Sequence, residues 1–331
     1  MMASPHIHQP PHPWAIVVAF VALYISWGTT YLAIKHGVQT EGLPPAFFGG
    51  TRVALAGLLL LAFLWMRRAS LALSGSEWIT VTIGGVLFFV GGNGLLTFAE
   101  VYIPSGYASV LGATTTLFIG LLEFCWPGGD RLTGRGWLGM GVGFAGVCLL
   151  VGINPETEKT QAETLLGAGL MLSCCFCWAL GSVLIRRMRR VSSHWVSAGY
   201  QMLIGGTLLT LLGFPLGEWN SLPSEITTGA VISFVYLLVV GSFIGFLAFH
   251  YLLGHVPASL VGTHAYVNPL VAVWLGWFLA SEEITLWTIY GMVAVLGGVA
   301  VVRGANSTKV SQKGGQSGLE TSTSLRNQPE Q

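Results

Sequence analysis

Five ionisable side chains fall inside or at the ends of long apolar runs, where their chemistry has few outlets. Arg52 is seven residues into a run that begins at 45, about 10 Å along a helix at ~1.5 Å per residue. A guanidinium in such surroundings faces the interior of a bundle or a water-filled cavity. Glu100, closing the next run at the same end, is placed to pair with it. Either the two form a structural ion pair that locks the second and third runs together or closes the outer gate, or Arg52 meets a solute. Glu123, His250 and His264 are candidate proton carriers, since imidazole titrates near neutral pH; for each, the alternative is a hydrogen bond to a neighbouring helix. Asn93 and Asn268 are amides deep in apolar runs, and Pro269 beside Asn268 removes the donor for a carbonyl a turn earlier, at or near Ala265. Such amides satisfy freed backbone, meet another helix or bind solute. Trp27, Tyr31, Trp178 and Tyr266 lie near mid-depth, where they line an amphipathic cavity or simply pack.

Other patterns carry less. Gly141, Gly143 and Gly146 spell G-x-G-x-x-G, but a dinucleotide site needs a preceding strand and an aqueous crevice. Close helix packing accounts for them better. Cys174, Cys175 and Cys177 lack metal-ligand spacing, and five cysteines in apolar runs are no disulfide framework. Arg186, Arg187, Arg189 and Arg190 fix topology and touch anionic lipid. No P-loop, catalytic constellation, metal site or cofactor motif is present. A net charge of +1 gives no reason to expect nucleic acid.

The elements that must hold these residues are membrane helices. Of 331 residues 53% are hydrophobic and 9% charged, against about 25% charged in a soluble domain; the mean hydropathy is +0.68. A span needs roughly 20 apolar residues. Breaking the chain at polar, Pro and Gly clusters gives ten runs: 14–34, 45–66, 77–99, 104–126, 133–153, 164–185, 195–215, 229–251, 257–280 and 285–303. Residues 1–13 form a Pro/His-rich flexible head with no cleavable signal, and 304–331 a disordered tail. Of fifteen Lys and Arg, Lys35 and Lys159 fall on one side and Arg52 within a helix. The other twelve fall on the opposite side, which places both termini in the cytoplasm.

The halves repeat at a spacing near 152 residues. Trp27–Lys35 (WGTTYLAIK) matches Trp178–Arg186 (WALGSVLIR), and Thr133, Gly139, Met140, Gly146 and Val147 match Thr285, Gly291, Met292, Gly298 and Val299. Five spans per half is odd, so the second half is inverted. The expectation is an all-α membrane protein of ten transmembrane helices in two inverted five-helix repeats, 14–153 and 164–303, joined by a loop at 154–163. Inverted repeats with a midplane site are common among secondary transporters.

WGTTYLAIKHGV, Arg52, GNGLLTFAE followed by PSGYASV, and AYVNPLVAVWLG together resemble the ten-helix drug/metabolite transporter superfamily, specifically EamA-type permeases, over residues 14–303. The resemblance implies an exporter of small metabolites such as amino acids or toxic analogues in the inner (cytoplasmic) membrane, without a nucleotide motor. One departure is Thr116, which precedes Leu117 and Phe118 where the family usually has proline. A first-half kink then depends on Thr114, Thr115 and nearby glycines. Expected partners are a small solute and membrane lipid, with protons as the favoured coupling ion; a homodimer is left open. The alternatives are a membrane-embedded enzyme acting on a lipid-linked substrate and, more remotely, a sensor.

Overall fold

The computed structural model describes residues 13–127, 133–152, 159–188, 191, 193–256, 261, 263–302 and 304. Ten apolar helices stand where the sequence breaks into runs: α1 Pro13–Thr40, α2 Pro45–Met66, α3 Gly75–Ala99, α4 Ser105–Cys125, α5 Gly134–Gly152, α6 Gln161–Arg187, α7 His194–Leu212, α8 Thr228–Phe249, α9 His264–Ala280 and α10 Leu286–Val302. No strand occurs among the described residues. Among the described residues seven helices are long and apolar enough to span a membrane, and α5, α9 and α10 contain shorter apolar helices. Large apolar side chains such as Val18, Ile25, Phe63, Leu138 and Trp277 face outward. That is the expected surface for a chain whose solvent is lipid, where each helix satisfies its own backbone. The protein is an all-α membrane protein with ten membrane helices in two inverted repeats.

The inversion is visible in how equivalent helices meet. Gly50 of α2 lies against Gly206 and Thr210 of α7, and Gly57 against Gly199 and Leu203, so the residue numbers rise on one helix as they fall on the other. The same antiparallel seam joins α5 to α10, with Gly139 against Gly298 and Gly146 against Ala294. Without a hydrophobic drive between helices in lipid, small residues that admit a close backbone are what hold such seams. Gly143 and Gly146 of the G-x-G-x-x-G pattern serve here, while Gly141 faces open space.

Two departures from regular helix also repeat. A π-helical stretch interrupts α3 at Gly85–Gly94 and α8 at Leu237–Ile244; their starts, 85 and 237, are 152 residues apart, the spacing at which the halves align. Single π turns inside α-helices favour functional sites because they rotate the following side chains. In α4 the helix is broken by a turn at Ala113 and Thr114 despite the absence of proline at 116. Thr114 Oγ donates to the Leu111 carbonyl at 2.6 Å and Thr115 Oγ to that of Gly112 at 2.9 Å. The hydroxyls thus add side-chain bonds to the carbonyls beside the break, of which that of Leu111 also accepts from the Thr114 amide at 2.9 Å. A turn at Thr263 precedes α9, which keeps Pro269 inside it.

Candidate functional site

Arg52 is only 3% exposed. One of its terminal nitrogens donates to Asn93 Oδ1 at 2.8 Å. The π-helical turn of α3 carries Asn93, and the π-helical turn of α8 presents Gly241 beside the guanidinium and Thr30. Trp27 closes this group from α1, its indole N–H donating to the Gly241 carbonyl at 3.3 Å. The Arg52 Nε–H meets no acceptor. The guanidinium thus keeps donor capacity at Nε that no protein acceptor takes up.

The sequence offered Glu100 as the partner of Arg52, and the structure gives Asn93 instead. Asn93 lies seven residues before Glu100 in the same α3, about two turns deeper in the bundle. Among the described residues no ion pair joins Arg52 to Glu100.

Aromatic side chains surround the group symmetrically. The Trp27 ring centroid lies 5.2 Å from Phe249 and 5.0 Å from His264, so His264 belongs to this cluster. Trp178, at the equivalent position of the second half, meets Phe88 in a tilted pair with centroids 4.7 Å apart. Each tryptophan lies across a glycine of the other half: Trp27 over Gly245 of α8, and Trp178 over Gly92 of α3. Tyr31 directs its hydroxyl at Gly112, beside the break in α4. Asn268 is buried on α9, and its Oδ1 has no donor. The side chains of His250 and Tyr266 lie outside the described residues.

Both ends of the bundle carry polar ties between the halves. At one end Lys35, closing the regular part of α1, binds Glu282 after α9 at 2.8 Å. Glu282 also accepts from the Ser105 amide (2.9 Å), the Ser105 hydroxyl (2.7 Å) and the Gly106 amide (3.1 Å) at the start of α4. Burial alone would raise the Glu282 carboxyl, but the Lys35 charge and these donors outweigh it and hold it below the usual carboxylate range. Glu218 caps α2 in the same way, accepting from the amides of Ala46 (3.0 Å) and Phe47 (2.9 Å), and Glu41 binds Thr227. Sequence reasoning singled out neither Glu218 nor Lys35–Glu282. Sequence cannot say whose helix an acid caps. At the other end, Glu123 pairs with Arg186 and Arg187. Two of the arginines expected on lipid are therefore engaged with α4.

Inverted halves, mutually inserted tryptophans, a buried arginine between their π turns and cross-half ties at each end define a membrane protein of the transporter class. The chain belongs to the EamA-like transporter family, whose model matches residues 13–152 and again 165–304. It is 34% identical over 279 residues to the uncharacterised inner membrane transporter YedA of Escherichia coli (strain K12), covering 83% of this chain and 87% of YedA. The uncharacterised transporter YvbV of Bacillus subtilis (strain 168) is 27% identical over 306 residues, 92% of this chain and 95% of YvbV. A solved structure described only as a crystal structure of protein has the same fold, with a TM-score of 0.60 at 22% identity, covering 87% of this chain and 97% of that one. The protein is a transporter.

Proposed function

We propose that this transporter is a secondary exporter of small metabolites such as amino acids or their toxic analogues, and not an enzyme. It works in the inner membrane with both termini cytoplasmic, by alternating access between 14–153 and 164–303, coupled to inward proton movement. The observation that carries the reading is the uncommitted edge of buried Arg52 beside Asn93, Gly241 and Trp27. A solute carboxylate suits that edge, and the aromatic rings beside it suit an apolar side chain. Asn268, Tyr31, Trp178 and Tyr266 complete the solute-facing set, with Pro269 and the two ion-paired ends as gating parts. The ties around Lys35 support a state closed on the outer side, since they join α1, α4 and α9.

Uptake into proteoliposomes from a panel of labelled amino acids, with and without an inward-acid gradient, tests this. Saturable uptake that Arg52→Ala lowers by roughly 100-fold or more, the scale of losing a charged hydrogen bond of about 3 kcal/mol, is the expected result. Equal uptake by Arg52→Ala would remove the solute role of this arginine, and a lipid substrate chemically altered by pure protein would favour an enzyme.

A further inference from the structure

Glu100 is fully buried, and neither of its carboxyl oxygens meets a hydrogen-bond donor. Its backbone is well held: the amide donates within the last turn of α3 and the carbonyl accepts from Gln39 Nε2 at 2.6 Å. The side chain is therefore fixed near the Lys35 backbone and two cations, none of which meets it in hydrogen-bonding geometry. The charged and titratable groups facing it are Tyr31 and Lys35 from α1, Arg52 from α2, Cys174 from α6 and Glu282 from the segment after α9. Both cations are engaged elsewhere, Lys35 on Glu282 and Arg52 on Asn93, each at 2.8 Å. Glu282 adds a second negative charge. Burying a carboxylate with no donor is strongly unfavourable, and the neutral acid avoids most of that cost.

We propose that Glu100 is the proton-binding site of this transporter, and that closure of the Lys35 end requires its carboxyl to hold a proton. The inference rests on the carrier reading above and assigns its coupling ion to one residue. It sets Glu100 apart from Glu123, whose carboxylate is neutralised by two arginines. When the Lys35–Glu282 tie opens, water reaches Glu100 and the Lys35 ammonium is released to stabilise the carboxylate. One proton then exchanges between a carboxyl oxygen and water at that end. Closing returns Lys35 to Glu282 and leaves Glu100 able to be buried only as the acid. Each closure of the Lys35 end thereby carries one proton into the bundle.

Infrared spectroscopy of the full-length protein in lipid vesicles tests this without any solute. At pH 7 the wild type is expected to show the carbonyl stretch of an un-ionised carboxylic acid, lost in Glu100→Gln and kept in Glu123→Gln. Glu100→Asp, with circular dichroism matching the wild type, is expected to show the band shifted. A wild-type spectrum at pH 7 whose acid band is unchanged in Glu100→Gln would overturn the proposal. In transport, the ratio of uptake with and without a pH gradient is expected to fall to one in Glu100→Gln, and a wild-type ratio there would also overturn it. Because the band is read with no solute present, failure of wild-type vesicles to move any solute would count against the carrier reading alone.

Discussion

At the residue scale, the site depends on which acid serves which cation. Arg52 is bound by a neutral amide, Lys35 by Glu282, and Glu100 by neither cation. An uncharged partner leaves the Arg52 positive charge uncancelled, so it remains attractive to an anionic solute. Glu282 makes a pH prediction. Its folded-state affinity for protons is depressed, so the stability it contributes is complete above the unfolded carboxyl value of about 4.3 and is lost as pH falls through the lower folded value. Thermal melts in detergent between pH 7 and pH 3 are expected to show an acid-side loss that Glu282→Gln lacks, because the glutamine variant never has that contribution. An identical acid limb in both proteins would remove Glu282 from the tie.

At the element scale, glycine positions set how closely the halves approach. A Cβ at Gly206 would fall on the Ala54 amide and against the Gly50 carbonyl, both backbone atoms that cannot rotate away. Gly206→Leu is therefore expected to force α2 from α7 and to lower stability by roughly 1–3 kcal/mol. Gly141→Leu, a substitution in open space on α5, serves as the matched control. Melting temperatures of the two variants in one detergent provide the check, and equal values would mean that the α2–α7 seam tolerates separation. The π turns belong to this scale as well. They carry Asn93 and Gly241, which meet at the same guanidinium although the two lie in different halves.

At the scale of the whole molecule, the ties at the Lys35 end and the Glu123–arginine group at the other end bracket the central cluster. The proposed alternating access requires that the first of these separate during each cycle. In a protein whose native cysteines are replaced, joining Lys35→Cys to Glu282→Cys with a cleavable bifunctional reagent is expected to abolish solute movement, and cleavage of the linker to restore it. Unimpaired transport by the linked protein would mean that this end does not open. All five native cysteines are free thiols, so their replacement removes no disulfide.

The sequence by itself determined the membrane class, the ten spans, the duplication and the odd span count that inverts the second half. Apolar run length and repeat spacing are local or one-dimensional quantities, readable without knowing what touches what. It also exposed the cast: Arg52, Asn93, Glu100, Trp27 and Trp178 were all legible as polar or aromatic residues in costly or repeated positions. The pairings were decided only by the tertiary structure. Asn93 rather than Glu100 meets Arg52, and Glu282 crosses from the second half to Lys35 and the start of α4, 177 residues from Ser105. The break at Ala113 and Thr114 occurs with no proline at 116, and threonine hydroxyls bond the carbonyls beside it. Hydrogen-bond partners depend on the rotation of each helix about its axis and on a π turn's extra residue, which are fixed when the two halves insert their tryptophans over each other's glycines.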